Sequence, residues 1–140
     1  MPPINTNFIP PRVKNDLTSR FATLIKGKKV YVAIDAANLY YAALKAKMYI
    51  DFEQIYNWFA KKATYVEIGF YTAYNVDDEK QQDFLQHLEG YGYKIIQKPI
   101  KVFNDKIKGN MDIEIAVDIM QKQTEFDTFV LMSGDGDFRY

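Results

Sequence analysis

The chain has 140 residues, 48% of them apolar and 26% charged, which is the length and make-up of one folded domain and excludes a disordered or collagen-like chain. Its 18 basic and 18 acidic residues cancel, so it is no strongly basic nucleic-acid coat, and the lack of cysteine excludes disulfides, thiolate zinc sites and cysteine nucleophiles. The single histidine, His87, has no partner for a histidine metal site and allows a Ser-His-Asp triad only around itself, which leaves the chemistry largely to carboxylates.

Residues 1–27 are expected to form an N-terminal arm and a short helix, with Pro2, Pro3, Pro10 and Pro11 holding the first part extended. Neither this arm nor any later apolar run has the form of a signal peptide or the length of a membrane span, and the missing cysteines suit a reducing compartment, so the expected location is the cytoplasm, with no membrane partner. Residues 28–140 contain no repeat or linker and read as a single domain.

Lys29–Asp35 is a short apolar run rich in β-branched and aromatic residues, which suits a central strand buried on both faces. Asn38–Lys47 reads as a short helix, and Asp51 is placed to cap another in which Phe52, Ile55, Tyr56, Phe59 and Ala63 recur at helical spacing. Tyr65–Tyr74 is the second strand. Asp77 or Asp78 caps a helix running through Tyr91, with Phe84, Leu85 and Leu88 on its buried stripe and Gly90 and Gly92 at its end. Tyr93–Lys98 is the third strand, Asn104–Asn110 a polar loop, Met111–Gln123 a helix and Thr128–Met132 the fourth strand. Strands alternating with helices predict right-handed crossovers and an α/β, Rossmann-like three-layer sandwich around a mainly parallel sheet of four or more strands.

Ligands of such sheets collect at the carboxyl ends of the strands. The first strand ends in Asp35-Ala-Ala-Asn38 and the fourth runs into Ser133-Gly-Asp-Gly-Asp-Phe138, so Asp35, Asp135 and Asp137 are expected to converge on one edge. Singly, each has an ordinary structural explanation: Asp35 or Asn38 as a helix cap, Ser-Gly-Asp-Gly-Asp as an Asx turn. Together, three acids in one small space repel and call for a cation or a raised pKa. Asp112 adds a fourth. With Asp112 at zero on a wheel of about 100° per residue, Ile113, Ala116, Ile119 and Met120 lie within about 100° of it, so it is expected on the buried face, opposite a solvated arc of Glu114, Asp118, Gln121 and Lys122. A buried acid is costly unless paired or metal-bound; the competing explanation is that Asp112 is the cap of its helix. Four oxygen ligands without histidine or cysteine suit Mg²⁺ or Mn²⁺, ions that commonly handle phosphate. Asn38 is placed either to orient a water or phosphate there or to cap its helix.

The set Asp35-Ala-Ala-Asn38, Lys108-Gly-Asn-Met-Asp112 with Asp118 six residues on, and Ser133-Gly-Asp-Gly-Asp-Phe138 closely resembles the NYN domain, in particular its LabA-like bacterial branch. NYN domains are similar to PIN domains, Rossmann-like folds with an acidic metal site generally regarded as Mg²⁺- or Mn²⁺-dependent ribonucleases. The resemblance runs from about Lys29 to Phe138 and implies Asp35, Asp112, Asp135 and Asp137 as metal ligands and catalytic acids. It implies Asn38, Lys108 and Ser133 as supporting groups, and favours Asp118 where the wheel puts it in solvent. Family members usually continue past the last motif into a further helix and an edge strand, so a chain ending at Tyr140 reads as naturally short or as a fragment. An uncovered sheet face would then invite homodimerisation.

Lys94, Lys98, Lys101, Lys106 and Lys108 precede a stretch from Met111 to Asp137 with seven acids and one lysine, a basic loop beside an acidic pocket that fits a nuclease; the same lysines equally fit a solvated loop. Tyr40, Tyr41, Tyr71 and Tyr74 lie near strand ends, where stacking on unpaired bases competes with the ordinary core role of aromatics. His87, away from the acidic edge, reads as structural or exposed. The expected function is metal-dependent endoribonucleolytic hydrolysis of single-stranded RNA phosphodiesters; the alternative is a catalytically weak or inactive RNA-binding, regulatory module. A phosphatase is disfavoured because the Asp-x-Asp that one phosphatase class carries after its first strand is broken by Ala37.

Overall fold

The structure, a computed structural model, describes the backbone of residues 13–103, 106–108 and 111–133, and the side chains of 18–100 and 111–133. The β-branched and aromatic run Lys29–Asp35 is strand β1, buried at every position from Val30 onward, as a strand covered on both faces must be. It follows α1 (Val13–Ile25) and leads directly into α2 (Ala36–Lys45). Then come α3 (Phe52–Lys62), β2 (Tyr65–Tyr74), α4 (Glu79–Tyr91), β3 (Lys94–Pro99), a ladder of β4 (Lys101–Phe103) and β5 (Lys106–Lys108), α5 (Asp112–Gln121) and β6 (Thr128–Met132).

The main sheet has the order β3-β2-β1-β6, every pair parallel. Alternation along the strands sorts their side chains to two faces. Val30, Val32, Ile34, Ile68 and Phe70 meet one layer, built from Ile25 of α1, Leu39 of α2, Phe52 and Phe59 of α3, and Leu85 and Leu88 of α4. Tyr31, Ala33 and Tyr71 face the other way, against Met111 and Ile115 at α5 and against Phe126. The chain steps outward from β1 to β2 to β3 and then returns to lay β6 on the other side of β1. The order therefore reverses between β1 and β6, and the carboxyl ends of these two strands form the crevice where open α/β sheets bind ligands.

Local signals set several boundaries as expected. Asp51 accepts a hydrogen bond from Gln54 N at 3.0 Å and Asp78 one from Gln81 N at 3.1 Å, so both are side-chain caps. Gly92 ends α4 with φ of 111°, a left-handed turn that a side chain resists, and a Cβ there would lie 2.6 Å from the Tyr56 ring. Two elements differ from expectation. Helix α2 begins at Ala36, two residues early, because β1 passes straight into it; and the segment read as a polar loop contains β5, which pairs antiparallel with β4 just before it, from Lys101↔Lys108 to Phe103↔Lys106.

The phase of α5 also differs. Ile115 is fully buried, whereas Ile113 and Met120, expected inside, are 76% and 68% exposed. Its apolar residues from Ile113 to Met120 spread over about 200° of the wheel, wider than one buried stripe, so the wheel leaves open which part of that arc meets the sheet. Centred on Ile115, Asp112 and Asp118 stand about 60° to either side of the buried stripe. Lys122, also read as solvated, lies with its ammonium 5.2 Å from the centroid of the Tyr31 ring.

Candidate metal centre at the switch point of the sheet

Asp35 closes β1 and is 4% exposed. By position it is the N-cap of α2, yet its side chain makes no capping bond. Its Oδ2 instead accepts a hydrogen bond from Asn38 Nδ2 at 2.6 Å and one from Ser133 Oγ at 3.1 Å. Asn38 is therefore no cap either: it sits inside the first turn of α2 and braces the carboxylate. Ser133 arrives by β6, whose Met132 pairs with Ile34 of β1. The motifs at the ends of the first and last strands, almost a hundred residues apart, thus meet at one oxygen atom. Both bonds from described side chains end on Oδ2.

Asp112 is the first residue of α5, after an N-cap at Met111, so it is not the cap of its helix. Met111 is buried in the cluster that contains Ala33, two residues before Asp35, which brings the start of α5 to the same face and end of the sheet. Asp112 is half-buried there. Asp135 and Asp137 lie outside the described residues, as does the side chain of Lys108 on β5. Among the described residues no three of His, Cys, Asp and Glu gather into a metal-ligand group. A buried carboxylate oriented by an amide and a hydroxyl, with a second acid opening the helix beside it, is nevertheless a donor set that fits a hard divalent cation.

Other predicted residues fall differently. Asp118 is half-buried rather than solvated, and its Oδ2 accepts a hydrogen bond from the Tyr71 hydroxyl at 2.7 Å. Tyr71 is wholly buried, so it cannot stack on a base; its hydroxyl lies 2.6 Å from that of Tyr31. Tyr40 and Tyr74 are half-buried, whereas Tyr41 is 69% exposed on α2. Lys94 starts β3 at the far end of the sheet and pairs with Glu67 at 3.1 Å. Lys98 pairs with Glu114 at 2.8 Å. Burial pushes the Glu114 carboxyl up, but the hydrogen bond from Lys98 and one from backbone outweigh it and hold the group below the usual carboxylate range. Sequence reading missed this pair because the wheel turned Glu114 outward. His87 is exposed on α4, with Nδ1 2.8 Å from the Asp83 carbonyl.

The Tyr31 hydroxyl is pushed up to about 12, chiefly by burial, which outweighs the lowering by the neighbouring Tyr71 hydroxyl, with the charges of Asp118 and Glu67 adding to the rise. A group whose folded pKa lies above its unfolded value of about 10 stabilises fully below pH 10 and loses that stabilisation as pH rises through 12. Tyr31 alone is expected to remove about 1.4 kcal/mol between pH 8 and pH 11. Urea unfolding at the two pH values should show this loss, and Tyr31→Phe should lack it.

A doubly wound parallel sheet with a braced, buried acid at its switch point defines a Rossmann-like α/β domain. The family model described as the NYN domain matches residues 29–140, and the chain belongs to that family. It is 33% identical over 119 residues to the Low amplitude and bright protein LabA of Synechococcus elongatus, a match covering 79% of this chain. The chain spans 63% of that relative's length. Among solved structures it is similar to a protein of unknown function from Vibrio parahaemolyticus, with a TM-score of 0.71 and 29% identity over 80% of this chain and 70% of the other. No helix among the described residues is long and apolar enough to cross a membrane.

Proposed function

We propose that the chain is a Mg²⁺- or Mn²⁺-dependent endoribonuclease acting on single-stranded RNA, with Asp35, Asp112, Asp135 and Asp137 as its metal ligands and catalytic acids. The observation that carries this reading is Asp35 itself: a buried anion at the switch point, making no capping bond and held in one orientation by Asn38 and Ser133. Among the described residues nothing in the packing requires a charge there, and an unneutralised one is costly. When bound, a divalent ion supplies a Lewis acid for the phosphodiester and a more acidic water. The protein's own part is to fix the carboxylates that receive it: Asn38 and Ser133 hold the Asp35 plane, and α5 carries Asp112 to the same edge. Lys108 serves as a cation for the RNA backbone.

Membership of the NYN family, whose PIN-like relatives are nucleases, supports this reading. Purified protein incubated with labelled single-stranded RNA and Mn²⁺ should give cleavage that EDTA and Asp35→Asn both stop. Intact RNA with wild type, or equal cleavage by the variant, rejects the enzyme; RNA binding that survives without cleavage returns the regulatory module. Tyr41, exposed on the helix that follows Asp35, is the aromatic best placed to stack on a base. Tyr41→Ala should weaken RNA binding about tenfold, with Tyr41→Trp retaining it, as read by fluorescence anisotropy in the Asp35→Asn background.

A further inference from the structure

Beneath the Asp35 edge, a chain of hydroxyls crosses from the sheet to α5. Tyr31 of β1 and Tyr71 of β2 meet at 2.6 Å, and Tyr71 donates to Asp118 Oδ2 at 2.7 Å, so with that proton committed the Tyr31 hydroxyl is the donor of the pair. Burial and the Asp118 carboxylate it donates to push the Tyr71 hydroxyl far up, so it remains a donor at any physiological pH. These are directional contacts in a layer whose other members, Ala33, Met111, Ile115 and Phe126, pack without direction. Apolar burial alone leaves the rotation of α5 open within an apolar arc of about 200°; the hydrogen bond to Asp118, at the edge of the buried stripe, narrows it. Asp118 stands about 120° around the helix and about 9 Å along it from Asp112, so holding one fixes the direction in which the other leaves the helix.

We propose that Asp118 is a positioning residue rather than a metal ligand: through Tyr71 and Tyr31 it locks the rotation of α5 on the sheet and thereby aims Asp112 toward Asp35. This rests on the metal-site reading above. Its signature is that the acceptor matters and the charge does not, because an asparagine oxygen accepts the Tyr71 proton as a carboxylate oxygen does.

Mn²⁺ binding to the full chain, measured by isothermal titration calorimetry with circular dichroism as the check on folding, tests it without reference to activity. Asp118→Asn should bind Mn²⁺ within about threefold of wild type, while Asp118→Ala and Tyr71→Phe, both folded, should bind it 10- to 100-fold more weakly, the usual penalty for losing a group that orients a ligand. If Asp118→Ala does not fold, Tyr71→Phe carries the comparison. Loss of binding in Asp118→Asn as complete as in Asp35→Asn would make Asp118 a ligand and overturn the proposal. Wild-type affinity in folded Tyr71→Phe overturns it from the other side, by showing that the hydroxyl chain sets nothing. Wild type that binds no Mn²⁺ instead rejects the metal-site reading, and this proposal with it.

Discussion

Asp35→Asn is expected to leave the protein folded and at least as stable as wild type in EDTA, yet to abolish both the stabilisation by Mn²⁺ and the cleavage of RNA. The Asp35 carboxylate is 4% exposed, and an amide of the same shape there relieves the cost of a buried charge while its oxygen still accepts from Asn38 and Ser133. On the proposed reading, what the variant gives up is a ligand. Saturating Mn²⁺ at about 100 times its Kd stabilises wild type by about 2.7 kcal/mol, and that increment should vanish. Loss of several kcal/mol of transition-state stabilisation corresponds to a rate drop of about 10²- to 10³-fold or more. Thermal unfolding with and without Mn²⁺, beside a cleavage time course, measures both. A variant that still gains wild-type stability from the ion would remove Asp35 from the site.

Gly69→Ala is expected to destabilise the protein by about 3 kcal/mol and to reach the site as well. Gly69 of β2 pairs with Ala33, in the middle of the sheet face that carries Tyr31 and Tyr71. A Cβ there would collide with the Tyr31 hydroxyl and lie 2.8 Å from Tyr71 Cε2 and 3.2 Å from Ile96 Cδ1. Tyr31 and Tyr71 are both fully buried and bonded to each other, so neither ring can swing aside without breaking the chain of hydroxyls to Asp118. Denaturant unfolding should show the destabilisation, and Mn²⁺ titration a loss of about tenfold in affinity. Gly90→Ala makes the control. It lies in α4 with nothing within 4 Å of the added methyl, and should stabilise by about 0.5 kcal/mol through helix propensity. Equal effects of the two substitutions would mean that the glycine is no packing requirement of the tyrosine pair.

Much of this architecture is readable from local chemistry. The run Val30-Tyr-Val-Ala-Ile34 announces a central strand because no solvent-facing position interrupts it; Asp51 and Asp78 cap, and Gly92 stops, through contacts within four residues. The Asp35 and Ser133 motifs could be joined on paper because a parallel sheet gathers the carboxyl ends of its strands. The rotation of α5 was illegible for a physical reason. With Ile113, Ile115, Ala116, Val117, Ile119 and Met120 spread over about 200° of the wheel, the hydrophobic term is nearly indifferent to which part of that arc is buried. The choice falls to polar contacts with residues far away in sequence. Glu114 turns toward Lys98, Asp118 toward Tyr71, and Lys122 toward the Tyr31 ring.

The sequence by itself determined the alternation of strands and helices, the carboxylate chemistry imposed by a chain without cysteine and with one histidine, and the two motifs that meet at Asp35. Only the tertiary structure decided what those residues do there. Asp35 has the position of a cap without its bond, Asn38 braces instead of capping, and Asp118 accepts a hydrogen bond from Tyr71 across the sheet-helix boundary. The reason is range. Propensity and capping act within a turn of the chain, whereas the partner of a buried polar group is set by strand register and helix rotation, and these exist only once the layers have packed.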